Sequence, residues 1–229
     1  EVEYDKAVAE CLAVVLLAAR SKNIPFVRLK ISGYCRFDLL EKKHSGAELT
    51  TTENAEWVRV CKRVNEICET ASRCDVKVLI DAEETWIQNP CNEITEKMME
   101  LYNQHKAMVF NTFQMYCNGT FSFLSQAITV AKRNGYVLGA KLVRGAYMEK
   151  ERARAMQEGY KNPIQPDKES TDKDFDDTIM LCLKNLDKLS LFIGTHNDQS
   201  CTKAMDIMAV RGIAANDHRV IFSQLFGMS

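Results

Sequence analysis

Charged and amide side chains recur at the ends of short apolar runs, where they could bind a ligand or transfer protons. These positions are Lys30, Asp81 with Glu83, Gln114, Lys141 with Arg144, His196 with Asn197, and Gln224. If the runs are parallel strands of a barrel, their carboxyl ends share one mouth, and the side chains would converge there. Such a mixture suits a charged substrate and a heterocyclic ring that both donates and accepts hydrogen bonds.

Residues 141–147, K-L-V-R-G-A-Y, form the most informative stretch. Two cationic side chains, Lys141 and Arg144, precede a Gly-Ala step at which a backbone can approach a ligand closely. Cations beside a cofactor ring favour the arrival of electron density, as in flavin reduction. A simpler interpretation of this stretch is a loop that leads into a solvated helix start. In the same way, a lone strand lysine such as Lys30 is usually exposed, and a lone histidine such as His196 is often structural.

Composition excludes several classes of function. The 229 residues carry 30 Lys and Arg against 31 Asp and Glu, and no basic run marks a dedicated nucleic-acid binder. Nine scattered cysteines without a C-x-x-C pair indicate free thiols in a reducing compartment. The four histidines lack the short spacings of metal ligands, so no metal site is expected.

Apolar runs alternate with amphipathic segments along the chain. Strands are predicted at 26–31, 77–81, 108–114, 139–143, 191–194 and 220–224. Helices are predicted at 5–20, 53–72, 92–106, 121–134, 148–157, 174–189 and 199–210. The strand runs are nearly continuous, which is typical of strands buried on both faces of a parallel sheet. In the third helix, Asn92 is the expected N-cap, and Ile94, Met98, Leu101 and Tyr102 share the apolar face.

This alternation fits either a doubly wound sheet or a (β/α)8 barrel. No G-x-G-x-x-G follows the first predicted strand, and polar residues end every strand, which favours the barrel. Since such a barrel has eight strands and six are predicted, we expect an incomplete TIM-type barrel of the α/β class. The first strand and the last strand plus helix are expected to be absent, so that 1–229 is a single barrel domain incomplete at both ends.

Six motifs in the same order resemble the proline dehydrogenase family. They are F-V-R-L-K (26–30), I-D-A-E-E-T (80–85), F-N-T-F-Q-M-Y (110–116), K-L-V-R-G-A-Y (141–147), G-T-H-N (194–197) and F-S-Q-L-F-G-M (222–228). The resemblance covers residues 24–229. Lys141 and the N-T-F-Q-x-Y form resemble the monofunctional, mitochondrial type, of which hydroxyproline dehydrogenase is a close sister.

The resemblance implies a distorted (β/α)8 TIM-type barrel with FAD as cofactor. It also implies oxidation of L-proline to Δ1-pyrroline-5-carboxylate by hydride transfer to flavin N5, the first step of proline catabolism. Electrons would pass to a quinone, and the protein would lie on the matrix side of the mitochondrial inner membrane, in peripheral contact with it. The alternative substrate is trans-4-hydroxy-L-proline.

The resemblance also implies roles for individual residues. Asp81 and Lys141 would be catalytic, while Lys30, Asp81, Tyr147 and Leu225 would contact the substrate. The residues expected to bind FAD are Ala82, Gln114, Lys141, Val143, Arg144, Gly145, Ala146, Tyr147, Thr195, His196 and Asn197.

One feature departs from the family, and two other classes of function remain open. The family places an Arg-Arg pair and a substrate-facing aromatic on its eighth helix, a segment that is expected to be absent here. One alternative is a catalytically inactive barrel acting as an interaction module, against which the presence of Lys30, Asp81 and Lys141 argues. The other is a Schiff-base or phosphate-handling barrel enzyme with Lys30 or Lys141 as nucleophile, which the motif set disfavours.

Overall fold

The computed structural model describes residues 1–21 and 23–227, so Met228 of the last motif lies outside the described residues. Six parallel strands follow one another in chain order: β1 (Phe26–Leu29), β2 (Lys77–Ile80), β3 (Val109–Gln114), β4 (Leu138–Val143), β5 (Leu189–Gly194) and β6 (Val220–Ser223). The α-helices are α1 (Val2–Ala19), α2 (Phe37–His44), α3 (Thr51–Arg73), α4 (Gln88–Tyr102), α5 (Thr120–Asn134), α6 (Met148–Glu158), α7 (Lys168–Leu183) and α8 (Asp198–Val210). The expected α/β class with parallel strands is confirmed.

The chain divides into two compact units, residues 1–111 and 112–229. In the first unit, β1 pairs with β2 so that Leu29 lies opposite Ile80, and β2 pairs with the start of β3. Helix α3 buries Val60, Val64 and Ile67 because these residues recur along one helical face. The interpretation of 1–229 as a single domain stays a prediction.

The second unit contains the end of β3 and all of β4, β5 and β6. Leu138 of β4 lies opposite Leu189 of β5, and Leu191 lies opposite Val220 of β6. Every residue of β5 except its last is buried, which explains the continuous apolar run in the sequence. Among the described residues, no helix has both the length and the apolar character needed to cross a membrane.

The predicted start of the third helix was wrong. Helix α4 begins at Gln88, and Pro90 lies in its first turn, where the missing N–H of proline costs no helical hydrogen bond. Asn92 therefore lies inside the helix, and its Oδ1 accepts hydrogen bonds from the amides of Gln88 and Asn111. Leu101, expected on the apolar face, is 49% exposed.

Two other helices also differ from the prediction. Helix α2 was not predicted because it is only 8 residues long, although it buries Leu39 and Leu40. Helix α7 begins at Lys168, six residues before the predicted start at Asp174, because Asp167 caps it by accepting from Ser170 N–H at 2.7 Å. Because the first turn of this helix is polar, the apolar periodicity of the sequence does not show where the helix begins.

A capping box begins α3, and its contribution to stability can be tested. The Thr50 hydroxyl accepts from Glu53 N–H at 3.2 Å, while the Glu53 carboxylate accepts from Thr50 N–H at 2.7 Å. We expect Thr50→Ala to lower the free energy of unfolding by about 1 kcal/mol, measured by urea denaturation. Exposed Thr52 in the same turn is the control, and an equal loss in Thr52→Ala would contradict the capping role.

Candidate functional site

Two expected site residues follow neighbouring strands in the first unit. Because Leu29 and Ile80 lie opposite each other, Lys30 and Asp81 leave β1 and β2 at the same edge, and Asp81 N–H donates to Leu29 O at 2.9 Å. Lys30 is exposed and Asp81 is half-buried. Ala82, which directly follows Asp81 and is expected to contact the cofactor, is buried.

Two acidic residues of the segment after β2 are buried. Glu83 and Glu84 are each 5% exposed. The Glu83 carboxylate accepts hydrogen bonds from both Ser32 N–H, at 3.2 Å, and the Ser32 hydroxyl, at 2.5 Å. Burial raises the pKa of Glu83 above its ordinary value, and the Ser32 hydrogen bonds and the charge of Lys30 partly oppose this rise.

In the second unit, the residues after β3 run beside those after β4. Met115 N–H donates to Val143 O at 2.9 Å, and Tyr116 N–H donates to Arg144 O at 2.8 Å. This pairing brings the segment that begins at buried Gln114 next to the expected cofactor-binding stretch 143–147. Lys141, on β4, is half-buried, with its Nζ 5.9 Å from the centre of the Phe192 ring.

A tight contact shapes the backbone at Gly145. Its φ is +141°, and a Cβ added there would lie 2.4 Å from Cε1 of Tyr116. The Tyr116 hydroxyl also accepts a hydrogen bond from Tyr147 N–H at 3.2 Å, and burial raises the pKa of Tyr116. Gly145 and Ala146 are exposed, so this segment presents an almost bare backbone. Sequence reasoning assigned no role to Tyr116, although it lies in the quoted motif 110–116.

The Arg144 guanidinium is directed at α7, α8 and the end of β5. It donates to Asp172 Oδ1 at 2.6 Å, to Thr195 Oγ1 at 2.7 Å and to Ser200 Oγ at 3.1 Å. Its carbon Cζ lies 4.3 Å from the centre of the Phe175 ring, a cation–π distance. Sequence reasoning missed Asp172 and Ser200, because nothing in their local pattern distinguishes them from other polar helix residues.

The expected site residues after β5 form a short network of their own. Asn197 N–H donates to Thr195 Oγ1 at 3.1 Å, and Asn197 Oδ1 accepts from Ser200 N–H at 3.1 Å, which caps α8. His196 Nε2 accepts from Leu225 N–H at 3.0 Å, so the structure brings these two predicted residues together. The hydrogen bond requires an imidazole without a proton on Nε2.

Metal binding has no candidate cluster among the described residues, where no three His, Cys, Asp or Glu side chains are grouped suitably. The strand ends of the second unit offer three groups that could contact an organic ligand. These are the half-buried cation of Lys141, the buried amide of Gln114 and the exposed backbone at Gly145. Such a set can contact a planar heterocycle through its edge and through its face.

The contact between Gly145 and Tyr116 can be tested by comparing two glycines with positive φ. Gly135, at φ +82°, has open space where its Cβ would lie, whereas a Cβ at Gly145 meets the Tyr116 ring. We expect Gly135→Ala to cost about 1–2 kcal/mol in unfolding free energy from backbone strain alone. Gly145→Ala should cost about 1–3 kcal/mol more, because it also overpacks a buried ring. Equal losses in chemical denaturation would contradict the contact.

Asp172 predicts a pH-dependent contribution to stability. Burial tends to raise its pKa, but hydrogen bonds from Lys168 and Arg144 outweigh burial and hold the pKa below its ordinary value. A carboxyl with a lowered folded-state pKa stabilises the fold above its unfolded pKa, about 3.9, and loses that effect as the pH falls further. We expect Asp172→Asn to be less stable than the parent at pH 7, with the difference shrinking below about pH 4. A difference that does not vary with pH, measured by denaturation at pH 7, 5 and 3.5, would refute this prediction.

Known proteins resemble this chain over nearly all of its length. A family model described as proline dehydrogenase matches residues 3–229. Proline dehydrogenase 1, mitochondrial, of Drosophila melanogaster is 35% identical over 192 residues, covering 80% of this chain and 28% of that protein. Hydroxyproline dehydrogenase of Xenopus laevis is 36% identical over 195 residues, covering 83% of this chain and 42% of that protein. The chain thus spans less than half the length of these relatives.

Solved structures share the fold. Proline utilization A from Bdellovibrio bacteriovorus, inactivated by N-propargylglycine, superposes with a TM-score of 0.86 at 16% identity, covering 100% of this chain and 24% of that one. A Bradyrhizobium japonicum proline utilization A variant gives a TM-score of 0.82, also at 16% identity, covering 99% of this chain and 23% of that one. This likeness confirms the expected class of a distorted α/β barrel. Since the family model matches almost every residue, the chain belongs to the proline dehydrogenase family.

Proposed function

We propose that this protein, an oxidoreductase by family, oxidises L-proline to Δ1-pyrroline-5-carboxylate with FAD as its cofactor. The observation that carries the proposal is the match of residues 3–229 to the proline dehydrogenase family. When bound, FAD would supply the acceptor for the hydride that leaves the ring carbon beside the proline nitrogen. A carbon–nitrogen double bond forms as that nitrogen gives up its proton.

The donor set of the second unit fits a flavin. Gly145 and Ala146 leave backbone exposed for a planar ring, and the Gln114 amide can both donate to and accept from a heterocycle edge. Lys141 would provide the positive charge that favours electron density on the ring. We propose that these residues bind FAD together with the others predicted, which are Ala82, Val143, Arg144, Tyr147, Thr195, His196 and Asn197.

Arg144 would act on the flavin differently from Lys141. Its guanidinium is held by Asp172, Thr195 and Ser200, so it would line the cofactor through its backbone and hold residues 144–147 in place. Asn197 and Thr195 would support the same side of the site from the end of β5.

The first unit supplies the groups proposed to bind the substrate. The Lys30 ammonium, exposed at the end of β1, would pair with the proline carboxylate, because an unpaired buried carboxylate is costly. Asp81 would belong to the polar network that orients the substrate, and Tyr147 and Leu225 would contact the ring. Proline has to react with its nitrogen neutral, because the lone pair of that nitrogen forms the carbon–nitrogen double bond as the hydride leaves.

We also propose a quinone as electron acceptor and a location on the matrix side of the mitochondrial inner membrane, in peripheral contact with it. The names of the relatives from Drosophila melanogaster and Homo sapiens, proline dehydrogenase 1, mitochondrial, support the organelle. The second candidate substrate is trans-4-hydroxy-L-proline, because the hydroxyproline dehydrogenase of Xenopus laevis is as similar to this chain as the proline enzymes are.

A visible absorption spectrum of the purified full-length protein tests this proposal. We expect oxidised-flavin absorbance that is bleached by anaerobic L-proline. Bleaching by trans-4-hydroxy-L-proline alone would reassign the substrate, and a colourless protein that FAD does not reconstitute would refute the flavoenzyme assignment.

In the same experiment, the variant Lys30→Ala tests the proposed pairing of Lys30 with the proline carboxylate. Because a hydrogen bond to a charged group contributes about 1.5–3 kcal/mol, loss of the ammonium should raise the proline concentration for half-bleaching about 10- to 100-fold. The flavin spectrum should stay unchanged. Exposed Lys62 on α3 is the matched control, and Lys62→Ala should behave like the parent.

A further inference from the structure

Glu83 is a buried carboxylate that the proposed reaction does not use. The Glu83 side chain is 5% exposed, and both of its oxygens accept hydrogen bonds from Ser32, one from the backbone N–H and one from the hydroxyl. Burial of a charged group is costly unless such bonds compensate it. The two hydrogen bonds from Ser32 compensate the burial of Glu83, and they connect two parts of the chain.

The Ser32 contact joins the segments that follow two neighbouring strands. Ser32 lies in the 3-10 helix Ile31–Gly33, which begins immediately after Lys30 at the end of β1. Glu83 lies two residues after Asp81 at the end of β2. The pair thus fixes the backbone that carries the Lys30 side chain to the backbone that carries Asp81.

A second set of hydrogen bonds anchors Glu83 from the other side. Its backbone N–H donates to Gln88 Oε1 at 2.9 Å, and Gln88 Nε2 donates to Asn92 Oδ1 at 2.9 Å. Asn111, buried on β3, donates to the same oxygen of Asn92 at 3.1 Å. The segment after β2 is therefore tied to β3 through the first two turns of α4.

We propose that Glu83 is a positioning residue for substrate binding, which rests on the function proposed above. It holds the segment 30–33 against the segment 81–84, so that Lys30 and Asp81 keep a fixed separation when the proline carboxylate binds. Preorganised binding groups lower the ordering cost of association, so loosening this link should weaken substrate binding before it affects the chemical step.

The test uses the full-length, FAD-loaded protein and three variants. Glu83→Ala removes both hydrogen bonds of the link, and Ser32→Ala removes the hydroxyl hydrogen bond while keeping the backbone N–H. Glu83→Gln keeps both, because an amide can accept from Ser32 N–H and donate to the Ser32 hydroxyl oxygen. We expect Glu83→Ala to raise KM for proline about tenfold and Ser32→Ala to raise it by a smaller factor, with kcat within twofold of the parent in both. Glu83→Gln should stay within about threefold of the parent KM.

Two further readouts separate positioning from a general loss of structure. The Kd of cyclopentanecarboxylate, a ring carboxylate that cannot be oxidised, should rise in parallel with KM in both alanine variants. The double variant Ser32→Ala with Glu83→Ala should be no worse than the poorer single variant, because the hydrogen bond lost in Ser32→Ala is already lost in Glu83→Ala. Exposed Glu66 on α3 provides the control, and Glu66→Ala should match the parent.

Each outcome bears on one proposal. A parent protein without flavin or without proline oxidation overturns the proposed function. An active parent whose alanine variants keep the parental KM, or lose kcat alone, overturns the role of Glu83. If Glu83→Ala does not fold, Ser32→Ala decides the question, because substitution of the half-buried Ser32 removes the hydroxyl contact to Glu83 at less cost to packing.

Discussion

The second unit depends on one partly buried charge, the Arg144 guanidinium. Its side chain is 22% exposed, so the free-energy cost of removing it from water must be offset by specific acceptors. Asp172, Thr195 and Ser200 provide them, and these come from α7, the end of β5 and α8. Because the side chain is fixed at its far end, the Arg144 carbonyl is fixed as well, and it accepts from Tyr116 N–H. The hydrogen bonds of the Arg144 side chain thereby help to fix the path of the backbone after β4.

The first unit also contains a buried ionisable group whose removal from water must be offset by specific partners, but there the group is an acid. There the buried group is the Glu83 carboxylate, and the donors are the backbone N–H and the hydroxyl of Ser32 in a short 3-10 helix. Hydrogen bonds between the side-chain amides of Gln88, Asn92 and Asn111 then connect the segment after β2 to β3. Fully bonded polar networks of this kind favour one arrangement over its neighbours, because any other leaves a buried group unpaired. Both units therefore hold their strand ends by polar bonds, which are directional, whereas apolar packing alone is not.

Much of the fold could be predicted from the sequence because parallel strands bury both faces and leave continuous apolar runs. All six strands lie where such runs predict them, with ends that differ by a few residues. The beginnings of α4 and α7 could not be found in this way, because their first turns are polar and are set by Pro90 and Asp167. The types of the candidate site residues were visible in the motifs. Their surroundings were not, since the partners of Arg144 lie 28 to 56 positions away in sequence.

The two cations of the 141–147 motif show why a shared motif does not give its members one role. Lys141 lies within β4, where its backbone is fixed by the ladder, whereas Arg144 follows the last strand residue and can turn towards the helices. A planar guanidinium can satisfy three acceptors at once, which a lysine ammonium on a flexible stem does less well. Arg144 is therefore suited to shape the backbone around Gly145, and Lys141 to present charge from a rigid strand. The residues that contact a ligand and those that hold them in place are then distinguished by the direction of each side chain, a property that only the folded chain displays.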